Sequence, residues 1–215
     1  MMSILPELTL TYFPLRGRGE PIRLLLADNG AQWTEDVVQL ADWFSGKCDV
    51  KNKAVFGQLP QFTDGQLVLY QSNTILRYLG RKFNVAGSND VEYTYIDMMN
   101  DGVEDLRQKF SKFMFFEFET GKEKYEKELP NQLSAFEKVL SKNSNGTKFL
   151  VGDKISFADY NLLDIIQCNQ SVFPNCLSSF PLLTAYVDRI VSRSNLSKYL
   201  KSEARNSRPI FPKRS

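Results

Sequence analysis

Every stretch with strand character falls before residue 83, and the longer remainder of the chain shows none. That asymmetry constrains the fold more than any other feature. A chain that confines its β-formers to one opening block cannot run a single mixed sheet through its whole length. It reads instead as an α/β unit followed by an all-helical one. Leu8–Phe13 (LTLTYF) alternates and is rich in β-formers, so it predicts a strand. Pro14 and Gly17 punctuate a loop, and Arg18–Asn29 then places Ile22, Leu25 and Leu26 on one helical face, with Pro21 in the first turn and Gly30 as the stop. Trp33–Leu40 predicts a second strand, and Ala41–Lys53 is polar, irregular or weakly helical. The Asp64–Gly65 pair between short apolar runs predicts a hairpin whose second arm is Leu67–Tyr70. Ser72 is suited to cap a helix through Arg81, with Ile75, Leu76 and Leu79 buried.

Beyond Phe83, the small polar stretch Asn84–Asn89 reads as a linker. Helices are expected over Val91–Phe118, Lys122–Leu140, Ser156–Asn169 and Phe180–Ser192, with Pro130 set to divide or bend the second. The expected domains are therefore 1–84 and 88–215. Ser156-Phe-Ala-Asp159 spells a capping box, with Ile155 and Tyr160 placed as its hydrophobic staple. Five rings crowd into nine residues at Phe110, Phe113, Phe115, Phe116 and Phe118, more than one buried helix stripe can hide, so some should face a cleft or a partner.

Composition decides which chemistries remain. The 215 residues contain no histidine, which excludes a His general base, a Ser–His or Cys–His nucleophile pair and any His-containing metal site. No metal is expected. Three cysteines, Cys48, Cys168 and Cys176, form neither a CxxC motif nor a disulfide framework, which points to a reducing compartment. Lys plus Arg number 27 against 25 Asp plus Glu, too balanced to make nucleic acid or an anionic membrane the main partner. No window approaches the ~18 consecutive apolar residues of a membrane-spanning helix. Met1–Leu10 has neither the basic start nor the apolar core of a secretory signal, so the expected location is the cytoplasm.

Three points can carry chemistry, each with a plainer alternative. Pro60 is either an edge-strand residue or a cis-proline that frees the Leu59 amide and carbonyl to pair with an extended peptide. Gln71–Ser72, where a strand gives way to a helix, is either an ordinary cap or a carboxylate-binding helix N-terminus. Tyr12, at the end of the first strand and ahead of Arg16-Gly17-Arg18, is either core or a hydroxyl aimed at a developing anion. Without histidine, a tyrosine hydroxyl beside an arginine is one of few ways to stabilise a thiolate. Lowering a thiol pKa of about 8.5 by two units takes roughly 2.7 kcal/mol, which a charge-assisted hydrogen bond and a nearby guanidinium can supply.

These residues carry a resemblance. The strings Tyr12–Arg18 (YFPLRGR), Leu25–Asp28, Phe56–Pro60 (FGQLP), Leu69–Arg77 (LYQSNTILR), Asn100–Arg107 (NDGVEDLR), Val151–Asp153 and Ile155–Asp164 resemble the cytosolic glutathione S-transferases, most closely their pi class. The resemblance implies a thioredoxin-like N-terminal domain followed by a helical C-terminal domain, glutathione as co-substrate, and a homodimer. It implies that Tyr12 stabilises the glutathione thiolate, with Arg18 beside it. Trp43 and a lysine would hold the glycyl carboxylate, Leu59, before a cis Pro60, would pair with the cysteinyl backbone, Gln58 would also belong to the glutathione site, and Gln71 and Ser72 would receive the γ-glutamyl end. Asp105 of the other subunit would meet the ammonium group. Phe13, Leu15, Arg18, Ser111 and Phe115 would line the electrophile pocket, and Phe56 would be the aromatic key of the dimer.

Three departures stand out. Phe115 replaces a tyrosine whose hydroxyl assists some additions, so reactions that need that proton donor should be weaker. Ala54 replaces a redox-sensitive cysteine. The stretch from Trp43 to Gln58 is about two residues longer than the pattern, so Lys47, Lys51 and Lys53 compete for one role, and spacing from Gln58 favours Lys51. The implied activity is conjugation of reduced glutathione to hydrophobic electrophiles in detoxification. The alternatives are a glutathione-dependent isomerase or peroxidase, or a non-catalytic ligand-binding or structural relative.

Overall fold

A computed structural model describes residues 8–46 and 48–212. Met1–Glu7, part of the stretch that lacks signal-peptide character, and Lys47, one of the three candidate lysines, lie outside the described residues. The chain forms two compact units. The first comprises the described residues up to Leu79 together with those from Arg193 onward, and the second runs from Gly80 to Ser192. The expected boundary at residues 84–88 follows chain order alone. By packing, the segment after Arg193 clusters with the first unit, because its short helices settle on that unit's first helix.

In the first unit, strands β1 (Leu8–Tyr12), β2 (Trp33–Val37), β3 (Gln61–Asp64) and β4 (Leu67–Tyr70) form one sheet in the order β2-β1-β3-β4. β1 and β2 are parallel and joined through helix α1 (Glu20–Asp28), while β3 and β4 are an antiparallel hairpin. This is the thioredoxin-like arrangement. The periodic residues are where the sequence puts them: Leu10, Ile22, Leu25, Leu26, Phe62, Ile75 and Leu79 are fully enclosed. Each such side chain contributes about 1.5–3 kcal/mol by leaving water.

β2 ends three residues earlier than expected, and the polar stretch after it makes two single-turn helices, α2 (Leu40–Phe44) and α3 (Asp49–Lys53). Helix α4 (Ser72–Lys82) follows the hairpin. The Gln71 carbonyl accepts the first helical bond, from the Ile75 amide, so Gln71 rather than Ser72 occupies the cap position. Two short helices without a strong apolar period close the unit, α9 (Ser194–Leu200) and α10 (Glu203–Asn206).

The second unit contains helices α5 (Asp90–Phe116), α6 (Lys122–Lys142), α7 (Phe157–Val172) and α8 (Pro181–Val191). α7 is buried nearly all round and packs on α5. Arg107 of α5 reaches it with Nη1 at 2.8 Å from Asp164, and donates through Nη2 to the Asn161 side chain at 2.8 Å. The capping box forms as read. Asp159 accepts from the Ser156 amide and hydroxyl, both at 2.7 Å, from the Leu150 amide at 2.9 Å and from the Tyr186 hydroxyl at 2.9 Å. Pro130 does not divide α6. The carbonyl that it leaves without a helical donor belongs to Glu126, and both residues are on the exposed face of the helix, where losing that bond costs least.

Candidate functional site

Sheet register gathers the candidate residues of the first unit. β1 and β3 pair antiparallel with Thr11 opposite Gln61, and β3 and β4 with Gln61 opposite Tyr70. One step further, Tyr12, Pro60 and Gln71 fall side by side at the same end of the sheet. The end of β1, the start of β3 and the junction of β4 with α4 therefore meet there. Helix-start groups, strand ends and irregular backbone are concentrated at that end.

Tyr12 is buried, and its hydroxyl oxygen accepts the Arg18 backbone N–H at 2.9 Å. The turn Gly17–Gly19 makes that contact by folding back over the ring. It can do so only because two of its residues lack a side chain. A Cβ on Gly17 would stand 2.7 Å from the Tyr12 oxygen, and one on Gly19 would stand 2.7 Å from Tyr12 Cδ1. Gly17 also sits at φ +41°. The Arg23 guanidinium carbon lies 5.8 Å from the centre of the Tyr12 ring. A phenol oxygen that already accepts one hydrogen bond donates its own proton more strongly.

Arg18 extends from this turn to α4, its Nη1 3.5 Å from the Ser72 hydroxyl. Gln71, exposed, holds φ 68°, a left-handed conformation that costs a residue with a Cβ about 1 kcal/mol or more. Its Nε2 donates to Gln58 Oε1 at 3.2 Å. The Leu59–Pro60 bond is cis, which resolves the two alternatives for that proline, and both residues are buried ahead of the β3 ladder.

A second cluster adjoins Tyr12 through Phe13. The Phe13 ring is 5.3 Å from that of Tyr12 and meets the buried Trp43 ring edge-on, also at 5.3 Å. Lys51 reaches back from α3, its Nζ 3.3 Å from the Trp43 carbonyl and 5.4 Å from the Trp43 ring. Lys53 is exposed at the end of the same helix. The two short helices thus present one lysine against one tryptophan. Leu15 is buried in the loop between these clusters.

The remaining candidates are elsewhere. Phe56 follows α3 and is 62% exposed, beside the exposed Val55. In the second unit, Asp105, Ser111 and Phe115 lie on α5, with Asp105 and Phe115 exposed and Ser111 half-buried. The crowded rings of α5 divide as anticipated. Phe110 and Phe113 are buried among Tyr125 and Phe173, whereas Phe116 is 83% exposed.

Sequence reasoning passed over Gly19 and Arg23. The spacing Gly17-Arg18-Gly19 was the available signal for the first: two small residues flanking an arginine allow close backbone approach. Arg23 lies inside a helix pattern where an arginine is ordinarily solvated.

Three kinds of comparison bear on this site. The family description "Glutathione S-transferase, N-terminal domain" matches residues 8–81, and "Glutathione S-transferase, C-terminal domain" matches residues 104–203. The chain is 66% identical over 209 residues to Glutathione S-transferase P 1 of Xenopus laevis, covering 97% of this chain and 99% of that protein. It is 48% identical to Glutathione S-transferase P of Homo sapiens, covering 96% and 97%. Among solved structures, the pi-class glutathione S-transferase of Onchocerca volvulus superposes with a TM-score of 0.90 at 40% identity, covering 96% and 98% of the two chains. The chain belongs to the glutathione S-transferase family, in its pi class, and is a transferase.

Proposed function

We propose that this protein conjugates reduced glutathione to hydrophobic electrophiles, with the Tyr12 hydroxyl stabilising the glutathione thiolate. The observation that carries the reading is the 2.9 Å bond from the Arg18 amide to the Tyr12 oxygen, which polarises the phenolic proton toward donation. That proton hydrogen-bonds the sulfur anion, and the thiol proton leaves to solvent. The thiolate forms a C–S bond at the electrophilic carbon, and a halide or other leaving group departs with its electron pair. Thiolate stabilisation and proximity supply the rate.

The tripeptide's charges suit the groups around Tyr12. Leu59 takes the cysteinyl backbone, bordered by Gln58 and Pro60. Gln71 and Ser72 take the γ-glutamyl carboxylate at the start of α4, where amides and a partial positive charge favour an anion. Trp43 and Lys51 take the glycyl carboxylate, and the pairing of that lysine with that ring supports Lys51 over Lys53. Asp105 of a second subunit answers the ammonium group. Phe13, Leu15 and Arg18, together with Ser111 and Phe115, are assigned to the electrophile. Phe115 has no proton to give, so substrates that need one during addition are expected to be poor.

The same reading makes the protein a homodimer. In support, Phe56 and Val55 project from their turn, and Val91, Tyr95 and Met98 form an exposed apolar row at helical spacing on α5. We place the protein in the cytoplasm, where Cys48, Cys168 and Cys176, none of them in a disulfide, would stay reduced. No described helix is long and apolar enough to cross a membrane.

The test is Tyr12→Phe assayed with a generic aryl halide at saturating glutathione. The expected result is a fall in kcat of at least about tenfold, the loss of one charge-assisted hydrogen bond. A kcat within twofold of the unsubstituted protein, together with an unshifted pH–rate profile, contradicts it.

A further inference from the structure

The first unit holds a buried charged cluster that glutathione binding does not use. Glu20 opens α1 and is fully enclosed. Arg23 Nη1 approaches its carboxylate at 3.4 Å and Arg205 Nε at 3.0 Å, and the Tyr199 hydroxyl is 3.2 Å from both oxygens. Arg23 is fully enclosed and Arg205 nearly so. Arg23 also grips Glu35 of β2 with two bonds, at 2.8 and 3.0 Å, and Arg208 adds a cation 3.6 Å from Glu35. Burial pushes the Tyr199 hydroxyl well above its ordinary pKa, reinforced by the Glu20 charge, so it remains a donor at any ordinary pH.

The cluster has a mechanical consequence. With Arg205 and Arg208 anchored, the chain from Ser207 to Ile210 runs alongside the loop before Arg18. The Arg16 amide donates to the Pro209 carbonyl at 2.8 Å, the Gly17 amide to the Ile210 carbonyl at 3.3 Å, and the Arg16 Nε to the Arg208 carbonyl at 3.1 Å. From the other side, Arg23 Nη1 donates to the Leu15 carbonyl at 3.0 Å and to the Arg16 carbonyl at 3.4 Å. The loop's amides are thus held by the C-terminal segment and its carbonyls by Arg23. The next amide in line, that of Arg18, is the one that meets the Tyr12 oxygen.

We propose that the C-terminal segment is a positioning element for Tyr12, in which Arg205, locked on Glu20, holds residues 207–210 against Arg16 and Gly17 and thereby keeps the Arg18 amide aimed at the phenol oxygen. This rests on the reading of Tyr12 as the thiolate-stabilising group. Buried ion pairs add little net stability but fix geometry when every charge is answered, and here the fixed geometry ends at a catalytic hydroxyl.

The test compares full-length Arg205→Met, Arg205→Lys and Pro209→Gly with the unsubstituted protein. It measures the pH midpoint of kcat/KM for aryl halide conjugation, alongside thermal unfolding. Arg205→Met should raise the midpoint by about half a pH unit, roughly a threefold loss below it. Arg205→Lys, which keeps a charge for Glu20, should recover most of the shift. Pro209→Gly loosens the segment without touching a buried charge. It should raise the midpoint in the same direction, and it decides the question alone if Arg205→Met does not fold. A lower Tm with an unmoved midpoint in the folded variants reduces the cluster to an anchor and overturns the proposal. Tyr12→Phe, run in parallel, separates the two levels. If it shifts the midpoint and the segment variants do not, only the positioning role falls. If it shifts nothing, both fall.

Discussion

The two units begin a helix in opposite ways. In the helical unit, Asp159 sits at a capping box and answers the Leu150, Ser156 and Tyr186 donors, so the start of α7 is closed. In the α/β unit, the corresponding junction before α4 carries Gln71 in a left-handed conformation, with its side chain exposed and Ser72 behind it. A closed cap stabilises a helix, whereas an open one keeps its amides available to a ligand. The lesson is that the site occupies the end of the sheet where local backbone economy has been given up.

The contrast can be broken at four points. The largest effect is expected from Asp159→Ala. Removing a carboxylate that answers four buried donors should cost about 3–5 kcal/mol, lowering Tm by about 10 °C, while the fraction that folds binds glutathione with unchanged affinity. Isothermal titration on the folded fraction checks the second half.

Gly19→Ala comes next. The new Cβ would stand 2.7 Å from Tyr12 Cδ1 and 3.2 Å from Arg23 Nη1, so the ring has to shift. A cost of about 1–3 kcal/mol is expected, read as a lower Tm with a several-fold fall in kcat/KM. Gln71→Gly should move binding without moving stability. Relief of the left-handed penalty and the added freedom of glycine nearly cancel, so stability changes by less than about 1 kcal/mol. The Michaelis constant for glutathione should nevertheless rise several-fold, because the side chain is lost. A stable variant with an unchanged Michaelis constant would remove Gln71 from the site.

The smallest effect is expected at Cys176. Burial pushes its thiol up to about 11, roughly two units, so at pH 7.5 the thiolate fraction is about 100-fold below that of an unburied cysteine. Iodoacetamide labelling should be slow at neutral pH and accelerate as pH approaches 11. With alanine rather than cysteine at the buried position 54, and Cys48 and Cys168 buried as well, activity should survive such treatment. Mass spectrometry of timed samples gives the rate.

How much was legible in the sequence follows the same division. Long periodic helices such as α5 and α7 and the capping box at Ser156 were readable because spacing and cap chemistry act within a few residues. So was the Asp64–Gly65 hairpin, a local turn signal. The end of β2 and the pair α2 and α3 were not, because two single-turn helices give no period to detect. The docking of residues 193–212 on α1 was invisible for a different reason. It depends on Glu20 meeting Arg205 across 185 positions, a contact that no local pattern encodes. In the site, Tyr12, Pro60, Gln71 and Ser72 were flagged individually from turn and strand-end chemistry. That the register sets Tyr12, Pro60 and Gln71 side by side could be seen only once the pairing of β1, β3 and β4 was known.

The central claim concerns a single proton. Glutathione bound to the protein can be titrated by the ultraviolet absorbance of its thiolate, in the unsubstituted chain and in Tyr12→Phe. The expected midpoint in the unsubstituted protein lies about two units below the roughly 8.5 of a free thiol, and it moves back up by at least about one unit when the hydroxyl is removed. Coincident titration curves for the two proteins would contradict the assignment of Tyr12 as the group that holds the thiolate.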